Sequence, residues 1–252
     1  MPETEAPDVA AFVGAAGGAG TTRTVVEVAA ALAADGREVA VLDGAFATQG
    51  LSGYLSGRID PDLTELLTDS ADADLSQGLY GLDLGESVPG RVAVCPAAAP
   101  FERLARAKRP EAAQRFESRI RAATRFDSVL VDVPPIAANQ AVAAVNAADR
   151  HVVVAPGSER GDDAVGRCHD RLADLGVEAS LVVATRGELA TADVAIPATD
   201  VTDERNAPTV PDDGEFAAAI ERVAAAVTSR DLGGQEASAG GLLDTVGDYV
   251  GR

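Results

Sequence analysis

The sequence predicts an α/β protein with a doubly wound, mostly parallel sheet that carries helices on both faces. Short apolar runs alternate with longer segments of helical periodicity, as in sheets whose strands are joined by crossover helices. The runs are apolar at nearly every position, which is typical of strands covered on both faces. The 252 residues suffice for one core of this kind, so we expect a single domain followed by a tail.

Seven apolar runs are predicted to be strands. In chain order they are residues 9–13, 39–42, 91–94, 128–131, 151–155, 179–184 and 193–196. The second run ends at Asp43 and the fourth at Asp132. These runs predict the strands in chain order, but they do not show which strands pair in the sheet.

Two helices are predicted from pattern and end signals. The first begins at Thr21 or Thr22, continues with Val25, Val28, Ala29 and Leu32 at helical spacing, and ends at Gly36 in the left-handed conformation. The second covers residues 215–228. We therefore divide the chain into an acidic extension (1–8), the domain (9–228), a linker rich in Gly, Ser and acids (229–241) and a short amphipathic helix (242–252).

The charge and amino-acid composition restrict the classes of function that the chain can have. A net charge of −19 with 46% hydrophobic residues indicates a folded protein adapted to high salt, and it argues against direct DNA binding. The sequence begins without the basic and apolar regions of a signal peptide, and no apolar run has transmembrane length, so we expect a cytoplasmic protein. Cys95 and Cys168 lie far apart, which predicts neither a zinc site nor a disulfide.

The segment between the first strand and the first helix has the form of a phosphate-binding loop without its lysine. Such a loop reads G-x-x-x-x-G-K-[ST]. Gly20 and Thr22 occupy the last Gly and the Ser/Thr positions, and Thr21 stands at the lysine. The single lysine of the chain, Lys108, is predicted in a distant charged helix. Either the helix N-terminus still attracts an anion, or the glycines serve only the tight turn.

The order and spacing of several motifs over residues 9–228 resemble the ParA/MinD family of deviant Walker P-loop ATPases (SIMIBI class). Family members carry a KGGxGKT loop. Here residues 16–22 read AGGAGTT, so the family's two lysines fall at Ala16 and Thr21. The family's D-x-D-x-Q-G stretch corresponds to residues 43–50, and its second Asp, which aids the attacking water, falls at Ala45.

The resemblance extends to the later strands and implies a degenerate ATP and Mg²⁺ site. Residues 126–135 look like switch II, where Asp132 would orient Mg²⁺ through water. Thr185 and Arg186 stand where the family has an Asn-Arg pair beside adenine. The implied nucleotide-binding residues are Gly17, Gly18, Ala19, Gly20, Thr21, Thr22 and Arg186, and the implied magnesium residues are Thr22, Asp43 and Asp132. Both aspartates could instead cap a strand end or helix. No cysteine lies near switch II, so we expect no iron–sulfur cluster.

The departures predict a protein without catalytic residues. They fall at phosphate, dimer, hydrolysis and adenine positions: Ala15, Ala16, Thr21, Ala45 and Thr185. Losing one such charge contact commonly costs ~10²–10³ in rate. We expect a pseudo-ATPase that acts as a scaffold or regulator in positioning, partitioning or cell division, as a homodimer or beside an active homologue. The alternative is a slow ATP switch that uses another cation, such as Arg23, a partner's arginine or K⁺.

Two peripheral segments suggest partners. Residues 103–125 hold a cluster of basic residues, which is either a solvated face paired with acids elsewhere in the chain or a docking surface for an acidic partner or nucleic acid. Residues 242–250 place apolar side chains on one helical face, but Asp244 and Asp248 interrupt it and Arg252 is its only basic residue. We therefore rank protein contact above membrane contact for this helix.

Overall fold

The structure, a computed structural model, describes residues 6–209 and 214–228. Eight strands form one sheet: β1 (Asp8–Gly14), β2 (Glu38–Asp43), β3 (Tyr80–Gly81), β4 (Arg91–Cys95), β5 (Ser128–Val133), β6 (Arg150–Pro156), β7 (Leu181–Thr185) and β8 (Val194–Ile196). Their order is β3-β4-β2-β5-β1-β6-β7-β8. All neighbours are parallel except β3 and β4. The predicted doubly wound, mostly parallel sheet is confirmed.

The predicted strands are all present, with ends that differ by one or two residues. β1 begins at Asp8, which pairs with Ser128, so the extension is one residue shorter than predicted. β7 begins at Leu181 and not at residue 179. The prediction missed β3, because its two residues carry no apolar periodicity.

Seven helices cover the sheet: α1 (Thr21–Ala34), α2 (Leu63–Leu67), α3 (Phe101–Ala107), α4 (Pro110–Arg121), α5 (Asn139–Ala147), α6 (Glu159–Asp174) and α7 (Glu215–Ala226). Gly36 has φ 86° and follows α1, as predicted. The sheet separates two apolar cores, one beneath α1 and α7 and the other beneath α2–α6. Cys95 is buried in the second core.

Most of the basic cluster lies on α3 and α4, and several of its arginines contact groups within the chain. Lys108 directly follows the charged helix α3, and α4 begins two residues later. Arg119 donates to the carbonyl oxygens of Leu66 and Ala71 at 3.0 and 2.9 Å, and Arg115 to that of Leu67 at 3.0 Å. Guanidinium groups thus complete the C-terminal end of α2.

Acids elsewhere in the chain pair with two further arginines of this cluster. Arg103 contacts Asp62 and Glu65, the latter at 2.6 Å, and Arg106 pairs with Asp69. An open hollow of about 640 Å³ beside α4 is lined by both acids and arginines. These contacts favour the interpretation as a paired face over an acidic partner's docking surface.

No helix in residues 6–209 or 214–228 is long and apolar enough to cross a membrane. The predicted linker (229–241) and C-terminal helix (242–252) lie outside the described residues.

Candidate functional site

The loop of residues 14–20 connects the carboxyl end of β1 to the N-terminus of α1. Gly18 and Gly20 have φ values of 73° and 85°, which glycine adopts without steric cost. The N–H of Ala15 donates to the carbonyl oxygen of Val154 at 2.8 Å, which fixes the loop to β6. The backbone therefore keeps the strand–loop–helix arrangement in which helix N–H groups attract an anion.

Thr21, at the position of the phosphate lysine, supplies no positive charge. A β-carbon added to Gly14 would lie 2.8 Å from its Oγ1, so the hydroxyl packs closely on the start of the loop. The loop glycines thus form a tight turn. The residue at the lysine position, Thr21, has a short hydroxyl side chain and no positive charge.

Thr185 and Arg186 lie against the loop. Thr185 Oγ1 donates to the carbonyl oxygen of Ala19 at 2.6 Å, and the Arg186 guanidinium donates to that of Gly18. Arg186 has φ 58°, an uncommon conformation for a residue other than glycine. The end of β7 is therefore bound to the loop, and Arg186 is a cation that contacts it.

Two of the three predicted magnesium residues are hydrogen-bonded to each other. Thr22 Oγ1 donates to Asp132 Oδ2 at 2.6 Å. Asp43 lies opposite Asp132 in the β2–β5 register, but its carboxylate accepts the N–H groups of Ala45 at 2.9 Å and Ala97 at 3.2 Å. Asp43 therefore stabilises the chain that follows β2 and β4, which is the capping role left open above.

Both aspartates are buried, and both pKa values are raised. Burial, then the charge of Asp132, raises the pKa of Asp43 to about 8. Burial raises the pKa of Asp132 to about 6, against the hydrogen bond from Thr22. Two carboxyl groups with raised pKa values thus lie behind the loop. When they are ionised, their negative charge repels an anion.

These residues supply part of a site for magnesium and a triphosphate and lack its cation. Magnesium in such sites uses one or two carboxylates together with substrate phosphates. Here the Thr22 hydroxyl donates its hydrogen to Asp132 and keeps its oxygen lone pairs, whereas Asp43 is turned onto backbone N–H groups. Thr21 offers no charge to a phosphate. Over the described residues, no group of three or more His, Cys, Asp or Glu side chains could hold a metal ion.

The carboxyl pair gives a testable dependence of stability on pH. Its pKa values are higher in the folded than in the unfolded chain, so between about pH 4 and 8 the folded state binds more protons and stability falls as pH rises. Asp132→Asn keeps an acceptor for Thr22 and removes one charge. We expect it to raise the free energy of unfolding by about 1–3 kcal/mol at pH 8, with little change at pH 4.

Urea unfolding at constant high salt across this pH range measures the effect. The matched control is Asp170→Asn, an exposed position on α6, which should follow the wild type at every pH. Equal stability of Asp132→Asn and wild type at pH 8 would contradict the raised pKa values.

A pocket of about 300 Å³ opens beside Gly20, behind the loop. Its walls include Tyr54, Thr185, Pro197 and Phe216. Arg186 lines it as well as contacting the loop. The resemblance had predicted Thr185 and Arg186 beside a base, and the structure places them both in this pocket and against the loop carbonyls.

Arg23 also lines the pocket, but it is held by other groups. Its Nε donates to Glu27 Oε1 at 2.6 Å and its Nη1 to the carbonyl oxygen of Val201 at 2.9 Å. Glu27 is buried and also accepts the N–H of Thr209 at 3.0 Å. The i, i+4 spacing of Arg23 and Glu27 on α1 is a signal for this pair, whereas no pattern in the sequence points to residues 201–209.

The fold matches solved structures of nucleotide-binding proteins. The septum site-determining protein MinD of Pyrococcus horikoshii OT3, complexed with Mg-ADP, superposes with a TM-score of 0.73 at 20% identity over 88% of this chain and 96% of that one. A ParA family ATPase from Chlorobium tepidum TLS gives 0.68 at 18% identity, covering 87% and 99%. Cobyrinic acid a,c-diamide synthase from Mycobacterium smegmatis, with ADP and magnesium, gives 0.61 at 20%, covering 86% and 92%.

No family model matches the sequence, and no curated protein matches it. The structural likeness establishes the fold: a P-loop NTPase fold of the ParA/MinD type, as the sequence resemblance predicted. Partition, division and biosynthetic proteins share it, so the chemistry has to be argued from the site.

Proposed function

We propose that this chain is a ParA/MinD-like protein with an eroded ATPase site. It acts as a non-catalytic scaffold or regulator in intracellular positioning, partitioning or cell division, as a dimer with itself or with an active homologue. One observation carries this proposal. The loop keeps its phosphate-binding backbone, but Thr21 replaces the cation and the buried Asp43 and Asp132 lie behind it.

The chemistry of phosphoryl transfer supports the loss of activity. Catalysis of this reaction consists mainly of positioning and of neutralising charge on the phosphate oxygens. Neither Thr21 nor Ala16 supplies a charge, and Ala45 supplies no carboxylate for an attacking water. The cellular role rests on the fold neighbours, among them a septum site-determining protein. We place the protein in the cytoplasm, with residues 242–250 as a contact for a protein or, less favoured, for a membrane surface.

Calorimetric titration with ATP and Mg²⁺ in molar KCl, with ADP in parallel, tests the proposal. We expect no binding at millimolar nucleotide. Micromolar binding would overturn the view of an eroded site, and measurements of hydrolysis would follow. Circular dichroism of the same samples verifies that the protein is folded, so that an absence of heat reflects the site.

The second candidate is a slow ATP switch with an unusual cation, and Arg186 is the observation that favours it. Its guanidinium already contacts the loop at Gly18, whereas Arg23 is held by Glu27 and Val201. If ATP binds, Arg186→Met should weaken it by about tenfold or more, the value of one charge-assisted contact. Arg167→Met, an exposed position on α6, should leave the affinity unchanged.

A further inference from the structure

A trough runs along one side of α4. The open hollow beside this helix adjoins a second hollow of about 270 Å³, and Asp74 and Arg119 line both. The lining residues of α4 recur at spacings of three and four from Glu111 to Ala122, so one face of the helix forms one wall. Residues 71–76 line the other side. At the rise of a helix this wall is about 16 Å long. We call the two hollows together the α4 trough.

The second hollow has an apolar floor. Leu75, Ala123 and Phe126 belong to the core beneath α2–α6, and each also lines this hollow. Leu79 is half-buried beside them. The core therefore comes to the surface at this end of the α4 trough, where an added apolar side chain would extend it. Apolar surface that is rimmed by polar residues is typical of docking sites.

The charge around this floor is positive. The charged residues that line the second hollow are Asp74, Arg119 and Arg125. Asp74 accepts the N–H of Ser76 at 2.8 Å, and Arg119 donates to backbone carbonyl oxygens. Arg125 lies over the Phe126 ring, 4.8 Å from its centroid. Within residues 6–209 and 214–228, neither arginine forms an ion pair with an acid, unlike Arg103, Arg106 and Arg121 of the same cluster. An acidic ligand is therefore favoured here, although the net charge of the chain is −19.

The end of the same chain has a sequence that complements this surface. In a helix of residues 242–250, one face would carry Leu242, Leu243, Val246, Tyr249 and Val250. Asp244 and Asp248 are four apart, so their carboxylates would lie on one side of that helix. Its nine residues would be about 13 Å long, which fits within the α4 trough. The two acids count against a membrane surface, but they suit an apolar floor with arginines at its rim.

The connection between the domain and residues 242–250 is long enough for docking within one chain. α7 begins beside the pocket at Gly20, which Phe216 lines, and it packs along α1, so the chain leaves α7 towards the amino edge of the sheet. The apolar end of the α4 trough lies at that edge, since Asp127 donates its N–H to the carbonyl oxygen of Glu38, the first residue of β2, at 2.9 Å. The segment 229–241 spans up to about 43 Å when extended, roughly the width of a domain of this size.

We propose that residues 242–250 dock in the α4 trough of their own chain. Their apolar side chains lie on its floor, and Asp244 and Asp248 lie near Arg125. This deepens the protein contact proposed above for residues 242–250 and rests on that choice over a membrane surface, but it does not depend on the state of the ATPase site. Docking covers the apolar side chains of the segment with the domain itself.

Tryptophan fluorescence of the full chain tests this, because the chain has no tryptophan of its own. Tyr249→Trp and, separately, Val250→Trp give single reporters. We expect emission at shorter wavelength and weaker quenching by acrylamide than in urea, at every protein concentration. Arg125→Glu turns an attraction into a repulsion and should lower the ratio of docked to free segment by about fivefold or more, which shifts both signals towards their values in urea. Arg167→Glu, an exposed position on α6, makes the same change elsewhere and should shift neither. Both positions are exposed, and circular dichroism verifies that each variant is folded.

Emission equal to that of the unfolded chain from both reporters overturns the proposal. A shielded reporter that responds equally to Arg125→Glu and Arg167→Glu overturns the α4 trough as its site. Shielding that appears only as protein concentration rises assigns the contact to a second copy, and shielding that appears only with phosphatidylglycerol vesicles assigns it to a membrane; either result overturns docking within one chain. Calorimetric binding of ATP beside a reporter that is sensitive to Arg125→Glu would overturn the eroded-site function alone.

Discussion

Thr21→Lys will give the chain an affinity for magnesium ATP about tenfold to a hundredfold above that of the wild type. The loop backbone is in place, with Gly18 and Gly20 in the left-handed conformation and α1 directed at the position of an anion. The component that is missing is the charge. A lysine at the start of α1 supplies an ammonium group to oxygens that otherwise face only N–H groups and two buried carboxyls.

Thr21→Met is the matched control, because it lengthens the side chain without a charge. Parallel calorimetric titrations of the two variants separate the effect of charge from that of displacing the threonine from its contact with Gly14. No gain in either variant would show that the loop is closed to phosphates for a reason other than the absent lysine. A gain in Thr21→Met as well would identify the Thr21 side chain as the obstacle.

The strands and the loop were predictable because each depends on neighbours in the sequence. The run from Val9 to Val13 ends in glycine and is followed by a helical pattern, so the strand–loop–helix order could be derived without the sheet. The short antiparallel strand β3 could not, because Tyr80 and Gly81 are fixed by pairing with β4 and not by their own pattern.

The hydrogen bonds that sequence reasoning missed join residues far apart in the chain. Arg119 and Leu66 are 53 positions apart in the chain. The hydrogen bond between them fixes part of the basic cluster to the end of α2. Arg186 and Gly18 are 168 apart. Spacing along one helix or strand carries no information about such pairs. The family resemblance placed Arg186 at the site, but it did not predict the hydrogen bond from Arg186 to Gly18.

Glu27→Ala is expected to lower the free energy of unfolding by about 3–5 kcal/mol, since it leaves the Arg23 charge buried without its partner. Glu27 has 2% of its side chain exposed and Arg23 20%. A second nitrogen of Arg23, Nη2, is already buried without an acceptor, so the guanidinium is incompletely hydrogen-bonded even before the carboxylate is lost. The same change removes the acceptor that holds Thr209, which releases residues 201–209 from α1.

Urea unfolding in molar KCl measures this loss against Glu221→Ala, an exposed position on α7, which should change stability by no more than about 0.5 kcal/mol. The double variant Arg23→Met, Glu27→Leu should recover most of the loss, because it replaces both members of a buried pair with apolar groups of similar size. If Glu27→Ala costs no more than Glu221→Ala, the pair does not fasten residues 201–209 to the domain. The pocket beside Gly20, which these residues and Arg23 help to line, would then lack a fixed wall.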